Sequence, residues 1–424
     1  MVSVANVYAW GMYVGAVLWD DGKGVAAFEY DPAFCRKGIE LSPLMMPAEA
    51  GRTYRFPSLG GDTFMGLPGM LADALPDSYG TALLDSWLSS QGRTLANPVE
   101  RLCYQGSRAM GALEFVPSTA LGLDGASPLE VDSLVRVAAE VLGERRSMEV
   151  NLKEDAAEAL LNIIRVGTSA GGQRAKAVIA YNENTGEVRS GQVEAPEGFN
   201  HWLLKLDGVT NRVLGDPSQY GRIEYAYYLM AQKAGIEMTQ CRLLEENGRA
   251  HFMTRRFDRF GSGGRIHSST LCGMVHADYR RLRAYSYEQA FGVMRRLRLP
   301  YPDMVQMYRR MVFNVLAWNN DDHTKNISFI MPKGGRWRLS PAYDMTYAFN
   351  PKGMWTSAHQ MSVNGKWDNI GRDDLLAVAS SVGISGAATL IDQVADAVAQ
   401  WPSIASSCGL PESSSKAIWS VIKP

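Results

Sequence analysis

The feature that most restricts the possible folds of this chain lies between residues 311 and 344. There an apolar segment is followed directly by a polar string and then by a hairpin pattern. The segment MVFNVLAW (311–318) is typical of a helix, and ISFIM and RWRLSPAYD, separated by PKGG, are typical of two strands joined by a turn. The string NNDDHTKN (319–326) lies between them. We therefore expect a polar loop with two carboxylates, and a further acid, Asp344, that returns beside it at the end of the second strand.

Phosphoryl transfer from ATP uses this combination of residues. In protein kinases one Asp accepts the proton of the substrate hydroxyl, an Asn five positions later helps to hold magnesium, and a second Asp after the next strand holds the metal at the phosphates. Asp321, Asn326 and Asp344 have that spacing, whereas Asp322 does not. Lys325 would neutralise charge on the transferred phosphoryl group.

The same string has other interpretations. His323 is either a further catalytic group or a side chain that hydrogen-bonds the loop backbone. A metal-dependent phosphoester hydrolase would use Asp321, Asp322 and His323. A polar turn without chemistry is the third interpretation, because Asn and Asp favour turns.

The order of the predicted elements indicates an α+β protein, because strands precede helices in blocks. Residues 1–115 form a β-rich N-terminal subdomain, in which residues 64–88 supply the clearest helix. Residues 130–260 combine helical periodicity with strands, and residues 261–424 are mostly helical. The uncharged residues 1–19 predict a β-hairpin rather than a signal peptide or membrane span, since they lack a basic start and contain Gly, Asn and Ser.

Composition bears on the partners and the compartment. Lys+Arg 43 against Asp+Glu 44 gives a formal net charge of −1, which does not indicate a nucleic-acid or acidic-membrane partner, although it leaves room for a local basic patch. The five cysteines are widely spread and include no C-x-x-C pair, which favours a reducing compartment over a disulfide framework or zinc site. We therefore expect a cytoplasmic protein without a membrane partner.

Two further features are candidates for phosphate contacts. The segment GTSAGGQRAK (167–176) would present backbone N–H groups to phosphates, although it matches neither the Walker pattern nor G-x-G-x-x-G. Lys205 lies inside the strand pattern WLLKL, and a buried lysine is costly unless it is paired. The α/β-phosphates of ATP or the carboxylate of Glu224 would pair with it; the alternative is an edge-strand lysine with an exposed head.

In their order along the chain these motifs resemble those of the HipA-like serine/threonine kinases, which are toxins of bacterial toxin–antitoxin modules. The resemblance covers nearly the whole chain. It includes VYAWGMYVGAVLWDDG, LADALPDSYG and GSRAMGAL near the N-terminus, and GTSAGGQRAK, HWLLKLDG, RRFDR, NNDDHTKNISFI and LSPAYDM beyond it. It implies a protein-kinase-like core, with a small mixed β/α ATP lobe and a mostly helical C-terminal lobe.

The resemblance also implies roles for particular residues. ATP and Mg²⁺ would be the cofactors, Asp321 the base, Asn326 and Asp344 the metal ligands, and Lys205 a ligand of the ATP phosphates. Other nucleotide contacts would come from the phosphate loop and from the backbone of RRFDR; they are Ala170, Gly171, Gly172, Gln173, Arg256, Phe257 and Asp258.

The partners that the resemblance implies are proteins. One is a DNA-binding antitoxin of HipB type on a separate chain, through which DNA would be contacted only indirectly. The other is a protein substrate, an aminoacyl-tRNA synthetase in the best-known members. The family's phosphate loop often reads S-x-x-G-x-Q-x-K, and autophosphorylation of its first Ser inactivates the enzyme. Thr168 stands at that position here, Ser169 follows, and the lysine is shifted to Lys176.

The favoured interpretation is an ATP- and magnesium-dependent Ser/Thr protein kinase of HipA-like type that phosphorylates a cytoplasmic protein and autophosphorylates at Thr168 or Ser169. The alternatives are the hydrolase described above and a catalytically impaired module that acts only as a corepressor bound to its antitoxin.

Overall fold

The computed structural model describes residues 2–76, 78–90, 92–94, 97–119, 129–135, 138, 175–191, 194–209, 219–261 and 263–422. The candidate phosphate-loop residues Thr168, Ser169, Ala170, Gly171, Gly172 and Gln173 lie outside them. The chain divides into two compact units. The first comprises Met1–Gly221, Arg242–Ser268 and Pro332–Gly334, and the second comprises Arg222–Cys241, Ser269–Met331 and Gly335–Pro424.

The first unit begins with an antiparallel five-stranded sheet in the order β4-β3-β2-β1-β5. Its strands are β1 Val4–Ala9, β2 Met12–Asp20, β3 Val25–Tyr30, β4 Thr53–Tyr54 and β5 Leu113–Val116. The hairpin predicted from the uncharged N-terminal residues is confirmed as β1 and β2. Gly15 allows β3 to approach closely, because a Cβ there would collide with the carbonyl oxygen of Glu29.

Short helices accompany this sheet. They are α1 Pro32–Cys35, α2 Gly61–Phe64, α3 Gly69–Ala72, α4 Ser78–Ser90 and α5 Pro98–Gln105. The helix predicted within residues 64–88 is therefore divided among three elements. Met65 is left-handed at the end of α2, and Pro68 precedes α3, so neither position continues a helix.

A second five-stranded sheet in the first unit has the order β7-β6-β8-β10-β9. Its strands are β6 Lys176–Tyr181, β7 Val188–Ser190, β8 Asn200–Lys205, β9 Cys241–Glu246 and β10 Arg249–Arg255. The central strand β8 buries Trp202 and Leu204 in a core that also contains Ile179 and Met253. A two-stranded ribbon follows, made of β11 Arg259–Phe260 and β12 Gly264–Arg265.

The second unit is mostly helical, as predicted for the C-terminal part of the chain. Its helices are α6 Tyr220–Lys233, α7 Leu271–Val275, α8 Tyr287–Arg296, α9 Tyr301–Leu316, α10 Arg372–Val382, α11 Ala387–Val398, α12 Trp401–Ser407 and α13 Glu412–Ile422. Tyr227 on α6 packs edge-on against Phe313 of α9 and against Trp401 of α12, so three helices share one aromatic core.

The chain also forms two small sheets. Strands β13 His267–Thr270, β15 Ser328–Met331 and β16 Arg338–Leu339 form one, in the order β13-β15-β16. Strand β14 Tyr285–Ser286 pairs in parallel with β17 Met361–Ser362. Sheets and helices in separate blocks confirm the predicted α+β class. Among the described residues, no helix has the length and apolar character needed to cross a bilayer.

Candidate catalytic loop

Residues 319–326 are the candidate catalytic loop, or catalytic loop for short, and follow α9 directly. Helix α9 ends at Leu316, and Trp318 has φ +51°, so the chain turns sharply there. The backbone N–H of Asn319 donates to Asn314 O at 2.9 Å, and that of Asn320 donates to Ala348 O at 3.1 Å. The loop is therefore joined by hydrogen bonds both to the preceding helix and to a distant segment.

Asp322 is buried and both of its carboxylate oxygens accept hydrogen bonds. Oδ2 accepts from the Tyr287 hydroxyl at 2.8 Å and lies 3.0 Å from His359 Nδ1, while Oδ1 accepts from the backbone N–H of Gln360 at 2.8 Å. We call these four residues the Asp322 network. Because its oxygens already have partners, Asp322 is a structural residue of the loop rather than a free acid.

Asp321 has the opposite environment, since 48% of its side chain is exposed. The Asn326 side-chain amide donates to the backbone carbonyl of Asp321 at 2.7 Å, so these two candidate residues are in direct contact. The imidazole of His323 lies beside Asp321, with Nε2 3.8 Å from Oδ1. Its buried Nδ1 has no hydrogen-bond partner among the described residues, so the predicted hydrogen bond from His323 to the loop backbone is not seen.

Asp344 lies near Asn326, although not for the reason that the sequence suggested. Strand β16 ends at Leu339, so Asp344 is not at the end of a strand; it has φ +53°, in the left-handed region that Asp tolerates better than most residues. The preceding residue, Tyr343, donates its hydroxyl to Lys325 O at 2.6 Å. This hydrogen bond connects the segment before Asp344 to the catalytic loop.

Asn326 and Asp344 line one cavity of about 20 Å³, together with side chains of α8, α9 and Asp322. That volume accommodates a water-sized species and not a nucleotide. Carboxylate and amide oxygens are the ligands that Mg²⁺ prefers, so Asn326 and Asp344 would suit a magnesium ion that took its remaining ligands from outside the protein. No cluster of three or more His, Cys, Asp or Glu side chains suited to a metal occurs among the described residues.

In the first unit, Lys205 lies on the central strand β8, so the edge-strand alternative is wrong. Directly opposite it are Lys176 of β6 and Phe252 of β10, and its Nζ lies 5.7 Å from the Phe252 ring centre. Lys176 is 2% exposed, so two lysines occupy one sheet face and one of them is fully buried. This face of the sheet therefore carries two positive charges on directly opposite positions.

The RRFDR segment contains a buried ion cluster that the sequence did not predict. Arg256 donates two hydrogen bonds to Asp258, and Arg259 donates to Asp258 and to the carbonyls of Ala109 and Gly111. The backbone N–H of Gly111 also donates to Asp258, at 2.7 Å. These five residues are the Asp258 cluster. With the Asp258 side chain so engaged, nucleotide contacts from residues 256–258 would come from backbone atoms.

Burial alone would raise the pKa of the Asp258 carboxyl, but the guanidinium groups of Arg256 and Arg259 outweigh it and hold that pKa well below its usual range. Burial lowers the pKa of Arg259 to about 9, which still leaves it charged at neutral pH. The cluster is thus an ionic connection between residues 109–111 and 256–259.

Two family models match the chain. The HipA-like C-terminal domain matches residues 168–401, more than half of the chain, and the HipA N-terminal domain matches residues 5–116. The chain belongs to the HipA family. The resemblance found in the motifs is therefore confirmed.

Curated relatives match only part of this chain. A Haemophilus influenzae protein named "Putative kinase" is 28% identical over 134 residues, which are 28% of this chain and 39% of the relative. A Sinorhizobium fredii protein named "Putative kinase Y4dM" is 26% identical over 199 residues, 43% of this chain and 46% of the relative. The matched regions thus span less than half the length of these relatives.

A solved structure shows the HipA fold over almost the whole chain. The HipA toxin of Shewanella oneidensis MR-1, determined in complex with HipB and its operator DNA, aligns with a TM-score of 0.67 and 20% identity. The alignment covers 99% of this chain and 95% of that one. At this identity the likeness establishes the fold alone.

Proposed function

We propose that this HipA-family chain is an ATP- and magnesium-dependent protein serine/threonine kinase. The observation that carries the proposal is the contrast between the two neighbouring acids of the catalytic loop. Asp321 exposes half of its side chain, whereas Asp322 has both oxygens in hydrogen bonds. Asp321 is therefore the solvent-exposed acid of the pair, and it is the acid with the kinase spacing to Asn326.

Each residue has a role in phosphoryl transfer. Asp321 accepts the proton of the attacking hydroxyl. Asn326 and Asp344 would hold Mg²⁺, which neutralises charge on the phosphates when it is bound. Lys325 belongs to the same loop, with Nζ 5.2 Å from the Tyr279 ring centre, and supplies positive charge near the transferred group. His323 orients or polarises Asp321 across their 3.8 Å separation.

Lys205 and Lys176 support nucleotide binding by the first unit. Both lie on one face of the second sheet, where their positive charges favour an anionic ligand such as the ATP phosphates. The backbone of residues 256–258 supplies further contacts, as do Ala170, Gly171, Gly172 and Gln173 of the phosphate loop. Autophosphorylation at Thr168 or Ser169 places negative charge beside the ATP phosphates and so inactivates the enzyme.

The partners belong to the same proposal. The substrate is a cytoplasmic protein, with an aminoacyl-tRNA synthetase as the first candidate, and the regulator is a DNA-binding antitoxin of HipB type. The hydrolase alternative is weaker because Asp322, one of its three ligands, has no free oxygen. The corepressor alternative is weaker because Asp321, Asn326 and Asp344 are all present.

The test is phosphate transfer from labelled ATP by purified Asp321→Asn. Loss of the base lowers the rate by about 10²–10⁴-fold, while thermal stability stays unchanged because the side chain is half exposed. The matched control is Asp396→Asn, at an exposed position of α11. Mass spectrometry of wild type and Asp321→Asn after incubation with ATP reports phosphate on Thr168 or Ser169. Near-normal transfer by Asp321→Asn would refute the assignment.

A further inference from the structure

A basic loop lies next to the catalytic loop and has no role in the chemistry above. It comprises residues 278–284, between α7 and β14. Arg280, Arg281 and Arg283 are exposed there, and Leu282 between them is 37% exposed. The chain as a whole has a net charge of −1, so this is a local concentration of positive charge rather than a property of the entire surface.

Contacts at its start join the basic loop to the catalytic loop. The Thr324 hydroxyl donates to the carbonyl of Ala277, and the Tyr279 ring centre lies 5.2 Å from the His323 ring centre. Lys325 Nζ lies 5.2 Å from the same Tyr279 ring. A segment bound along the basic loop would therefore lie beside the proposed base, Asp321.

The backbone of the basic loop is ordered by its own hydrogen bonds. Asp278 accepts from the N–H of Arg280 at its side chain and from the N–H of Arg281 at its carbonyl. Tyr285, which follows the loop, pairs with Met361 in the β14–β17 sheet. Because the backbone is already fixed at both ends, a ligand of the arginines would order mainly side chains, which lowers the entropic cost of binding.

Within the part of the chain that the structure describes, neither Arg281 nor Arg283 has an ion-pair partner, whereas Arg338 pairs with Asp303. An anionic ligand would relieve the repulsion between neighbouring guanidinium groups. Arg280 differs, since its guanidinium lies over Tyr279 and its Nε donates to the Tyr279 hydroxyl.

We propose that the basic loop binds an acidic segment of the protein substrate next to its acceptor hydroxyl. This inference rests on the proposed kinase function. The exposed Leu282 between two arginines favours a peptide with acidic and apolar side chains over a nucleic acid. Nucleic-acid sites add aromatic rings on which bases stack, and the one aromatic ring of this loop, Tyr279, already contacts His323, Lys325 and Arg280.

Binding of labelled peptides to the full chain tests the proposal without depending on catalysis. One serine peptide carries glutamates around an apolar residue, and its partner carries glutamines at the same positions. Fluorescence anisotropy at low salt is expected to give about tenfold tighter binding of the glutamate peptide, the size expected of a few exposed ion contacts. The preference should decrease as salt screens the charges.

Two double variants locate the effect. Arg281→Gln with Arg283→Gln should reduce the preference to about twofold or less. Arg296→Gln with Arg298→Gln removes two charges that are likewise exposed, at the last residue of α8 and two residues beyond it, and should keep the preference. The two double variants are also matched in backbone conformation, because Arg283 and Arg298 both have positive φ, at +55° and +57°.

Several outcomes overturn the inference. The inference is wrong if the wild type binds both peptides equally. It is also wrong if the two double variants lose the preference to the same extent. Tight binding of a single-stranded RNA that depends on Arg281 and Arg283, without a peptide preference, would assign the loop to nucleic acid instead. Failure of the kinase proposal is distinct: it appears as absent phosphate transfer in a wild type that still prefers the glutamate peptide.

Discussion

Two buried aspartates, Asp258 in the first unit and Asp322 in the second, have donors of different charge. Asp258 accepts from the guanidinium groups of Arg256 and Arg259. Asp322 accepts from a phenol, an imidazole and a backbone N–H. Burial of a carboxylate costs several kcal/mol, which opposite charges or well-directed hydrogen bonds must offset.

The difference indicates what each arrangement does. The Asp258 cluster neutralises charge and connects residues 109–111 with a segment about 150 positions later, so its main effect is on stability. The Asp322 network fixes a carboxylate from three directions beside Asp321, so its main effect is on the geometry of the catalytic loop. Substitutions that remove one arrangement at a time separate the two effects.

Asp258→Asn should have the largest effect on folding. It leaves two buried guanidinium groups without an anion, and breaking a buried pair in this way costs about 3–5 kcal/mol of unfolding free energy. Chemical denaturation followed by circular dichroism measures the change. Asp21→Asn, in an exposed turn of the same unit, is the control. A loss below about 1 kcal/mol would mean that the cluster does not stabilise the first unit.

Asp322→Asn should affect activity more than stability. The amide keeps one acceptor but turns an NH₂ group toward donors that need an oxygen, which costs about 1–3 kcal/mol of unfolding free energy. Displacement of Asp321 lowers phosphate transfer by about 10²-fold. The unfolding free energy and the rate of phosphate transfer are measured for Asp322→Asn and Asp258→Asn under the same conditions. A larger loss of stability in Asp322→Asn than in Asp258→Asn would reverse the comparison.

As the pH falls, protonation of histidines should destabilise the first unit before Asp258 becomes protonated. Burial lowers the pKa of His267 to about 4, and burial, followed by the charge of Arg256, lowers that of His201 to about 4. Because these values lie below the ordinary histidine pKa of about 6.5, the histidines of the unfolded state bind protons at a higher pH than those of the folded state. Their stabilisation is complete above pH 6.5 and is lost as the pH falls through 4.

Asp258 behaves differently under acid because its folded pKa is lower than the ordinary carboxyl value. Its contribution is complete above pH ~4 and decreases only below it. Unfolding midpoints of wild type at pH 7, 5.5 and 4.5 should therefore fall, and His267→Gln should reduce the slope. The expected contribution of His267 over this range is about 2–3 kcal/mol. A flat profile down to pH 4.5 would contradict this assignment.

The sequence predicted the elements that depend on local pattern. The N-terminal hairpin follows from period-two alternation, and the close relation of Asp321 and Asn326 follows from their spacing in one short loop. Asp344 was expected near them, but as the end of a strand. In fact β16 stops at Leu339, because the chain there pairs with other segments, including a hydrogen bond from Ala342 N–H to Glu237 O.

The parts that sequence could not predict depend on contacts distant in the chain. Tyr287 and His359 lie 35 and 37 positions from Asp322, and no local pattern relates them. The same holds for the Asp258 cluster, which requires the backbone of residues 109–111. The spacing argument did separate Asp321 from Asp322, but the reason that Asp322 is unavailable is visible only in the fold.

Tyr287→Phe should have the smallest effect, and it tests whether the Asp322 network is shared among its donors. The change removes one hydrogen bond to Asp322 and one from Asn314, but leaves the imidazole and the backbone N–H in place. We expect a loss of about 1 kcal/mol and a few-fold decrease in phosphate transfer. Tyr301→Phe, which removes an exposed hydroxyl that accepts from Ser385 N–H, should change neither. If Tyr287→Phe instead loses as much activity as Asp322→Asn, the Tyr287 hydroxyl alone orients the loop, and the hydrogen bonds from His359 and Gln360 contribute nothing to activity.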